Sequence, residues 1–272
     1  MLESEREILT LSLIEGALGT RIVGKPNAGT NELYESIDST NNRACELARQ
    51  GASEGTLILA RQQTAGRGRQ GRTWVSPMDA GIAFSVLLRP KISLAKLPLI
   101  TLATGVAVVR AVERSVGIRL GLKWVNDLVL NGKKVGGILA EMPGQALVIG
   151  IGLNIRLNAD ELPDDLKERV DWLERASGRP VDPNLIVVEL ASELEHQYEN
   201  LISGNSEEIL KSWRAYSVTL GKEIIARSGA QEIRGKAIDI SQSGALIVEG
   251  ESGRSEISAG EISIRTADGS YC

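Results

Sequence analysis

The chain has 272 residues, 42% of them hydrophobic and 24% charged, which is typical of a globular protein with one large domain or a large and a small one. The formal net charge of -4 argues against a dedicated nucleic-acid binder, and an aromatic content of 3% argues against stacking of single-stranded bases. Two cysteines and one histidine exclude a disulfide framework and a multi-histidine zinc site, and they disfavour a nucleophile activated by histidine. Because no apolar run approaches ~20 residues and the amino end is unlike a signal peptide, we expect a soluble, cytoplasmic protein without a membrane segment.

The amino-terminal stretch predicts one short helix. Residues 4–18 have helical apolar spacing, with Ile8 and Leu11 on one side and Gly19 as a stop, and a loop follows through residues 26–29. A single helix is too small to be a helix-turn-helix DNA-binding domain. We therefore expect residues 1–30 to form a helix and a linker that do not bind DNA.

From residue 33 onward, strand and helix signals alternate. Short apolar runs predict strands at residues 33–37, 56–60 and 81–88, and residues 82–87 are a candidate exposed edge that a homodimer could use. One helix is predicted at residues 41–50, with Ser39 or Thr40 as its cap and Gly51 after its end. A second is predicted at residues 93–116, ending at Gly117.

An antiparallel meander is the clearest supersecondary signal. Strands are predicted at residues 121–125, 128–130, 135–141 and 147–155, with a two-residue turn at Asn131-Gly132 and a second turn at Pro143-Gly144. Helices follow at residues 184–202, capped by Asp182, and at residues 206–216.

The composition changes after Ser217 to short β-runs separated by glycines. Strands are predicted at residues 223–226, 237–240, 245–248, 256–258 and 261–264. So many short strands in ~50 residues indicate a small β-barrel. We therefore predict a first domain at residues 31–217 and a second at residues 218–272.

The stretch Gly66-Arg67-Gly68-Arg69-Gln70-Gly71 matches the G-x-G-x-x-G pattern of dinucleotide-binding proteins, but no helix start follows it and no acidic residue stands at the ribose position. What remains is a glycine-rich loop whose arginines, with Arg72, suit binding of phosphate or carboxylate groups. A solvated basic loop or an RNA contact are the alternatives.

Two further segments carry polar residues in unusual places. Strand alternation puts Lys134, Gly136 and Ile138 on one face and Val135, Gly137 and Leu139 on the other. A glycine weakens a strand unless something must come close, so this strand suggests a ligand, although an edge lysine that prevents aggregation is the alternative. Asp38-Ser39-Thr40-Asn41 could bind a small polar group at a helix N-terminus or simply cap that helix. Asn154 could be a ligand contact or a turn former at the strand end.

In combination, these segments resemble the biotin protein ligase family, and the resemblance covers residues 35–265. The matching motifs are Asp38-Ser39-Thr40-Asn41, the run from Gln63 to Arg72 with Trp74, Lys123-Trp124-Val125-Asn126-Asp127, Lys134-Val135-Gly136-Gly137-Ile138-Leu139 and Gly152-Leu153-Asn154. Val125 stands where the family usually has proline, and the amino end lacks the DNA-binding domain of the family's bifunctional repressors. The resemblance implies an α+β fold: a mixed sheet with helices, like that of class II aminoacyl-tRNA synthetases, followed by a small SH3-like β-barrel.

The resemblance also implies an ATP-dependent biotin–[biotin carboxyl-carrier protein] ligase. Biotin and ATP would give biotinyl-5'-AMP and pyrophosphate, and a specific lysine of a biotin carboxyl carrier protein would then attack the adenylate. Neither step needs an enzyme nucleophile, which agrees with one histidine and no credible catalytic cysteine. The protein mainly has to align the reactants and stabilise negative charge.

By family analogy, the catalytic residues would be Lys134, Arg69 and Arg67. Lys134 would reach the biotin carboxylate and the α-phosphate, and the two arginines would close over both anions. Biotin would contact Ser39, Thr40, Asn41, Gln63, Arg67, Gly68, Arg69, Lys134 and Gly137, and ATP would contact Arg72, Trp74, Asn126 and Asn154. Because water destroys an acyl-adenylate, residues 66–71 and residues 158–165 are candidate lids.

Several points stay open. Mg²⁺ is expected with ATP, but no carboxylate cluster identifies its ligands, and phosphates and water would hold it. A homodimer is possible. A lipoate ligase, a non-catalytic sensor of biotin or nucleotide, and a nucleic-acid-binding barrel are the alternatives. His196 and Cys45 are expected to be structural, and Cys272 is a terminal residue without a partner.

Overall fold

The structure is a computed structural model that describes residues 7–25, 27, 29–91, 96–228, 231–251, 253–258, 263–267 and 271. Cys272 and the first residues of the segments predicted at residues 4–18, 93–116 and 261–264 lie outside these ranges. None of the helices in the described part of the chain has the length and apolar content that crossing a bilayer requires.

A mixed seven-stranded sheet organises the first two thirds of the described chain. Its strands are β1 (Glu32–Ile37), β2 (Leu57–Gln63), β3 (Gly81–Leu88), β4 (Gly121–Lys123), β5 (Asp127–Leu130), β6 (Lys133–Glu141) and β7 (Leu147–Asn154). The spatial order is β1-β2-β3-β7-β6-β5-β4, with β1 and β2 parallel and the other neighbours antiparallel. The predicted meander and its Asn131-Gly132 turn, in which both residues have positive φ, are therefore confirmed.

Helices cover both faces of this sheet. They are α1 (Leu11–Ala17), α2 (Thr40–Arg49), α3 (Leu97–Val116), α4 (Asp164–Lys167), α5 (Leu173–Ser177), α6 (Pro183–Ile202) and α7 (Ser206–Tyr216). The long helices α3 and α6 pack on each other and on one face, whereas α2 packs on the other through Ala44, Cys45 and Ala48 against Ile58 and Leu87. Because α2 covers only part of its face, it leaves room beside it for a cavity.

A second, antiparallel sheet follows, as predicted. It contains β8 (Glu223–Ser228), β9 (Gln231–Ile240), β10 (Leu246–Gly250), β11 (Gly253–Ile257) and β12 (Ser263–Thr266), in the order β11-β10-β9-β8-β12. Gly235, which the sequence suggested as a separator, lies inside β9, where a Cβ atom would come 2.4 Å from the carbonyl oxygen of Glu249. The strand is therefore longer than predicted, because this glycine permits close backbone contact rather than a turn.

The two sheets are joined by buried contacts at Trp124. Its backbone N–H donates to Thr219 Oγ1 at 2.8 Å, and its indole N–H donates to the carbonyl of Gly244 at 3.0 Å. The peptide bond between Trp124 and Val125 is cis. One hydrophobic cluster includes residues of both sheets, such as Phe84 of the first and Leu246 of the second.

The amino-terminal helix is shorter than the sequence predicted. The predicted helix reaches back to residue 4, but α1 begins at Leu11, and among the described residues 7–10 are not helical. The reason is tertiary. The Asn184 side chain accepts a hydrogen bond from the Thr10 N–H at 2.8 Å and donates to the Ile8 carbonyl at 2.9 Å, so helix α6 holds this segment in another conformation.

The prediction that residues 82–87 form an exposed sheet edge is wrong. They belong to β3, which is hydrogen-bonded to β2 on one side and to β7 on the other, and Phe84 is fully buried. Local apolar spacing cannot reveal this, because strand order depends on which distant segments pair.

The predicted alternation along β6 is also wrong at one point. The β5–β6 register shifts at a β-bulge: Val129 pairs with Lys134, but the adjacent Leu128 pairs with Gly136. A bulge puts two residues opposite one and changes the face of the side chains that follow it. Lys134 therefore shares a face with Gly137, whose added Cβ would lie 3.3 Å from Lys134 Nζ, and not with Gly136 as predicted.

Candidate active site

One cavity of about 250 Å³ lies beside α2, over the glycine-rich part of β6 and β7. Its lining includes every residue that the sequence analysis assigned to substrate binding or catalysis. These are Ser39, Thr40, Asn41, Gln63, Arg67, Gly68, Arg69, Arg72, Trp74, Asn126, Lys134, Gly137 and Asn154. The sheet thus brings five separate segments of sequence to one concave surface, as binding sites for small molecules require.

A hydrogen-bonded polar network forms the end of the cavity nearest to α2. Ser39 caps this helix through the N–H of Asn42, as predicted, and Gln63 Oε1 accepts from the Thr40 N–H at 2.9 Å. The Ser85 hydroxyl donates to Asn41 Oδ1 at 2.6 Å and lies 2.8 Å from the Thr40 hydroxyl. This end therefore presents amide and hydroxyl groups of fixed orientation, which suits an uncharged polar ligand group.

Glycines keep the sheet surface under the cavity bare. Gly137 and Gly152 are cross-strand partners, and an added Cβ at Gly152 would come 2.5 Å from the Trp74 ring. At Gly150, it would come 2.1 Å from Asn41 Oδ1. Side chains from other elements thus pack directly on the backbone here, which explains why these buried strands tolerate glycine.

The resemblance of the motifs implies that this cavity binds biotin, and the Gly150→Ala variant should then weaken that binding. The new methyl group would displace Asn41, whose amide is held on both sides by hydrogen bonds, and such overpacking costs about 1–3 kcal/mol. We expect the dissociation constant for biotin, measured by calorimetry, to rise by about tenfold or more. Gly19→Ala is the matched control, because its added Cβ meets no atom within 4 Å. Equal affinities of the two variants would contradict this account of the cavity floor.

The glycine-rich loop is a hairpin whose two arms are hydrogen-bonded to each other at its base. The Trp74 N–H donates to the Gly66 carbonyl at 2.9 Å, and the Gly68 N–H donates to the Arg72 carbonyl at 2.7 Å. Gly66 is required at this base, since a Cβ there would lie 2.5 Å from the Trp74 carbonyl oxygen. The tip is a short 3-10 turn at Arg69–Gly71.

The three loop arginines have different environments. Arg67 forms an ion pair with Glu141 at 2.6 Å, and Arg69 Nη1 donates to Asn126 Oδ1 at 3.1 Å. Arg72 is exposed and contacts Gln70 at 2.8 Å. Burial lowers the pKa of the Arg69 guanidinium below its ordinary value, although the nearby Asp127 opposes this effect. Arg69 is therefore the arginine that faces the interior of the cavity.

Lys134 lies at the other end of the cavity in a charged cluster. Its ammonium lies 2.5 Å from Asp127 Oδ1 and 5.8 Å from the centre of the Trp74 ring. Burial acts to raise the pKa of the Asp127 carboxyl, but the Lys134 ammonium and the Tyr271 hydroxyl hold that pKa below its usual range. Asp127 thus stays ionised and positions the lysine, and the cations around it make this end suitable for anions.

The comparisons with known proteins agree with this geometry. The family model "Biotin/lipoate A/B protein ligase family" matches residues 33–158, and "Biotin protein ligase C terminal domain" matches residues 219–265. The chain is 36% identical to the bifunctional ligase/repressor BirA of Bacillus spizizenii over 94% of this chain and 79% of the relative. The chain belongs to the biotin protein ligase family.

A further relative and a solved structure support the assignment of the ligase to this family. The chain is 36% identical to a biotin--[acetyl-CoA-carboxylase] ligase of Paracoccus denitrificans, over 83% of this chain and 96% of the relative. The biotin protein ligase of Aquifex aeolicus, solved in complex with biotin and ATP, superimposes with a TM-score of 0.79 at 31% identity, covering 88% of this chain and 100% of that chain. The predicted α+β fold with a mixed sheet and a following SH3-like domain is confirmed.

The segment that follows β7 forms the wall of the ligase's cavity opposite the arginine loop. Leu157, Leu162, Leu166 and Val170 line this wall, and the Lys134 N–H donates to the Arg169 carbonyl at 2.8 Å. The predicted lid at residues 158–165 is thus next to the cavity, although it contains a 3-10 turn at Ala159–Glu161 and the first two residues of helix α4 rather than being wholly loop. Asn154 is buried at the end of β7, where its amide donates to the Asp171 carbonyl at 3.1 Å.

Among the residues that sequence reasoning missed, Asp127 and Tyr271 line the ligase's cavity, and Glu141 and Ser85 bond to its lining residues. Asp127 stands in a quoted motif but received no role, and Glu141 and Ser85 lie outside the motifs. Tyr271 could not have been found from local sequence: its hydroxyl donates to Asp127, and its carbonyl accepts from Lys123 Nζ at 2.5 Å across 148 residues. A carboxylate near a strand-borne lysine was the one signal available for Asp127.

The remaining titratable candidates of the ligase lie outside the cavity lining. His196 is exposed on α6 beside Asn200, and Cys45 is buried under α2, where burial raises the pKa of its thiol. Both are therefore structural or surface residues, as expected. Among the described residues, no group of three or more His, Cys, Asp or Glu side chains could hold a metal ion.

Proposed function

We propose that the enzyme joins biotin to a lysine of a biotin carboxyl carrier protein through biotinyl-5'-AMP. One observation carries the proposal: a polar, uncharged end and a cationic end belong to one cavity, with the arginine loop and Lys134 on its walls. Biotin has a polar ureido ring at one end and a carboxylate at the other, and it matches this distribution. ATP meets the carboxylate where the cations converge.

The residue roles follow from this placement. Ser39, Thr40, Asn41, Gln63 and Gly137 bind the ureido end and the body of biotin. Lys134 and Arg69 offset the repulsion between the carboxylate and the α-phosphate, with Gly68 permitting close approach. The nucleotide lies near Arg72, Trp74, Asn126 and Asn154. Arg67 contacts biotin, and its ion pair with Glu141 supports a role for Arg67 at the base of the loop.

The chemistry requires no nucleophile from the enzyme. The biotin carboxylate attacks the α-phosphate, and pyrophosphate leaves; the carrier lysine then attacks the adenylate carbonyl, and AMP leaves. Alignment and charge stabilisation are enough for both steps. The described residues do not fit a protein-held Mg²⁺ ion, because Asp127 is already bonded to Lys134 and Tyr271. A Mg²⁺ ion bound to the phosphates of ATP fits them better.

The match to a biotin protein ligase C-terminal domain favours biotin over lipoate as the acid. We infer a domain boundary near residue 217, since the five-stranded sheet begins at Glu223. We also propose a cytoplasmic enzyme without operator binding. A homodimer would need an edge other than β3, and β1 offers one, whereas β4 is bonded at Leu122 to residues 217 and 218.

A thermal-shift titration with biotin, ATP and both together tests the function. A trapped adenylate that binds about 100-fold tighter than either substrate adds about 2.7 kcal/mol, or roughly 5–10 °C in Tm, to the shift that either substrate gives alone at the same concentration. Lipoate with ATP is the matched control, and biotin-dependent ATP–pyrophosphate exchange confirms turnover. Additive shifts without exchange would refute the ligase assignment and favour a sensor, and synergy with lipoate would favour a lipoate ligase.

A further inference from the structure

Glu141 connects two parts of the cavity that are distant in sequence. It lies at the last position of β6, and its Oε2 atom accepts hydrogen bonds from Asn41 Nδ2 at 2.8 Å and from Arg67 Nη2 at 2.6 Å. One carboxylate oxygen thus ties helix α2 to the arginine loop. No motif of the sequence analysis included this residue.

The contact extends into the polar end of the cavity. Asn41 is buried, and its other amide atom, Oδ1, accepts from Ser85, which in turn contacts Thr40. Asn41 Nδ2 also donates to the Leu139 carbonyl at 3.3 Å, so Glu141, Leu139 and Ser85 together hold the orientation in which the carbonyl and the amino group of Asn41 are both satisfied. The carboxylate is thus the charged side chain among the groups that orient Asn41 on the cavity floor.

The contact with Glu141 also gives Arg67 a different role from that of Arg69. The charge of Arg67 is already compensated by Glu141, whereas Arg69 meets the neutral amide oxygen of Asn126 near Asp127. The ion pair adds to two backbone contacts that hold the loop base, from the Trp74 N–H to the Gly66 carbonyl and from the Gly68 N–H to the Arg72 carbonyl. Those two contacts join the two arms of the hairpin to each other, the ion pair ties the closed base to β6, and Arg69 lies beyond it at the tip.

We propose that Glu141 is a positioning residue that anchors the base of the arginine loop through Arg67 and orients Asn41 for the acid substrate. The loop then opens and closes at its tip, around Arg69, while its base stays on β6. This inference rests on the proposed function for its kinetic consequences, but the anchor itself is a property of the free enzyme.

An isolated ion pair would not have this effect. Arg67 and Glu141 have side chains that are 41% and 26% exposed, and pairs at the surface contribute little. The shared hydrogen bond to the buried Asn41 distinguishes Glu141 from such a pair. The matched control is Glu249, whose pair with Arg254 is exposed on the second sheet at 3.1 Å and touches no cavity residue.

Kinetics of ATP–pyrophosphate exchange and of adenylate release test the proposal. Glu141→Ala should raise the KM for biotin and speed adenylate escape, each by about tenfold, the effect expected for loss of a hydrogen bond to a charged group. At saturating biotin, kcat should stay within about twofold, since Lys134 and Arg69 are untouched. Glu141→Gln keeps an acceptor for Asn41 but not the charge, so it should affect escape more than KM. Glu249→Gln should match the wild type.

Two further measurements exclude a merely structural effect. Glu141→Ala and Arg67→Ala should not be additive in adenylate escape, because each removes the same anchor. Amide hydrogen exchange at residues 66–72 should be faster in the ligand-free Glu141→Gln protein than in Glu249→Gln. Additive effects, unchanged exchange in the loop, or a fall in kcat without a change in KM would overturn the proposal. If the wild type showed no biotin-dependent exchange of pyrophosphate, the proposed function would fail, and the loop measurement would still decide the anchor.

Discussion

Lys134→Ala is expected to lower the rate of biotinyl-adenylate formation by about a thousandfold, the upper range for loss of one electrostatic group in an active site. The ammonium belongs to a cavity-lining residue of β6, and it is held beside Asp127 at the end where the biotin carboxylate and the α-phosphate must meet. Without it, the repulsion between the two anions is not offset. Single-turnover formation of the adenylate from biotin and ATP measures the effect.

The same substitution has a cost in stability that a second variant separates from catalysis. Lys134→Ala removes the ion-pair partner of the largely buried Asp127 carboxylate, which we expect to lower the free energy of unfolding by about 1–3 kcal/mol. The fold should persist, because Lys134 lies at a strand position that faces the cavity. Lys134→Ala combined with Asp127→Asn should recover the stability but not the adenylate. Normal pyrophosphate release by either variant would remove Lys134 from the mechanism.

Arg69→Gly is expected to release the adenylate before the carrier protein arrives. Arg69 lies at the loop tip and bonds across the cavity to Asn126, so its loss opens the cover over a reactive mixed anhydride. We expect biotinylation of bystander lysines, counted by mass spectrometry, to rise by about ten- to a hundredfold, as for the loss of a charged hydrogen bond.

Two companion variants define the cause of this leak. Asn126→Ala removes the partner of Arg69 on the opposite wall and should also increase premature release of the adenylate. Arg254→Gly removes an exposed arginine of the second sheet and should leave that release unchanged. Strict selectivity for the carrier in Arg69→Gly would refute the role of the loop tip as a cover. Leakage in the Arg254→Gly control would point to a general loss of stability instead.

Elements with strong local signals were predictable. The helix α7 and the strand β3 have the predicted bounds, and the caps of α2 and α6 are Ser39 and Asp182 as expected. Capping and turn formation are decided within a few residues, by hydrogen bonds that the neighbours themselves provide. For the same reason, the cavity residues that lie in compact motifs, such as the arginine loop and the strand around Lys134, could be named before the fold.

The sequence by itself determined which elements form and which cationic, polar and glycine residues are available for chemistry. Only the tertiary structure decided that β3 is central and that a bulge turns Lys134 toward Gly137. It also decided that Glu141 meets Arg67 and that Tyr271 reaches Asp127. These contacts join segments 74 to 144 residues apart. Their free energy depends on strand order and on which side chains are buried together, and neither is encoded in the spacing of neighbouring residues.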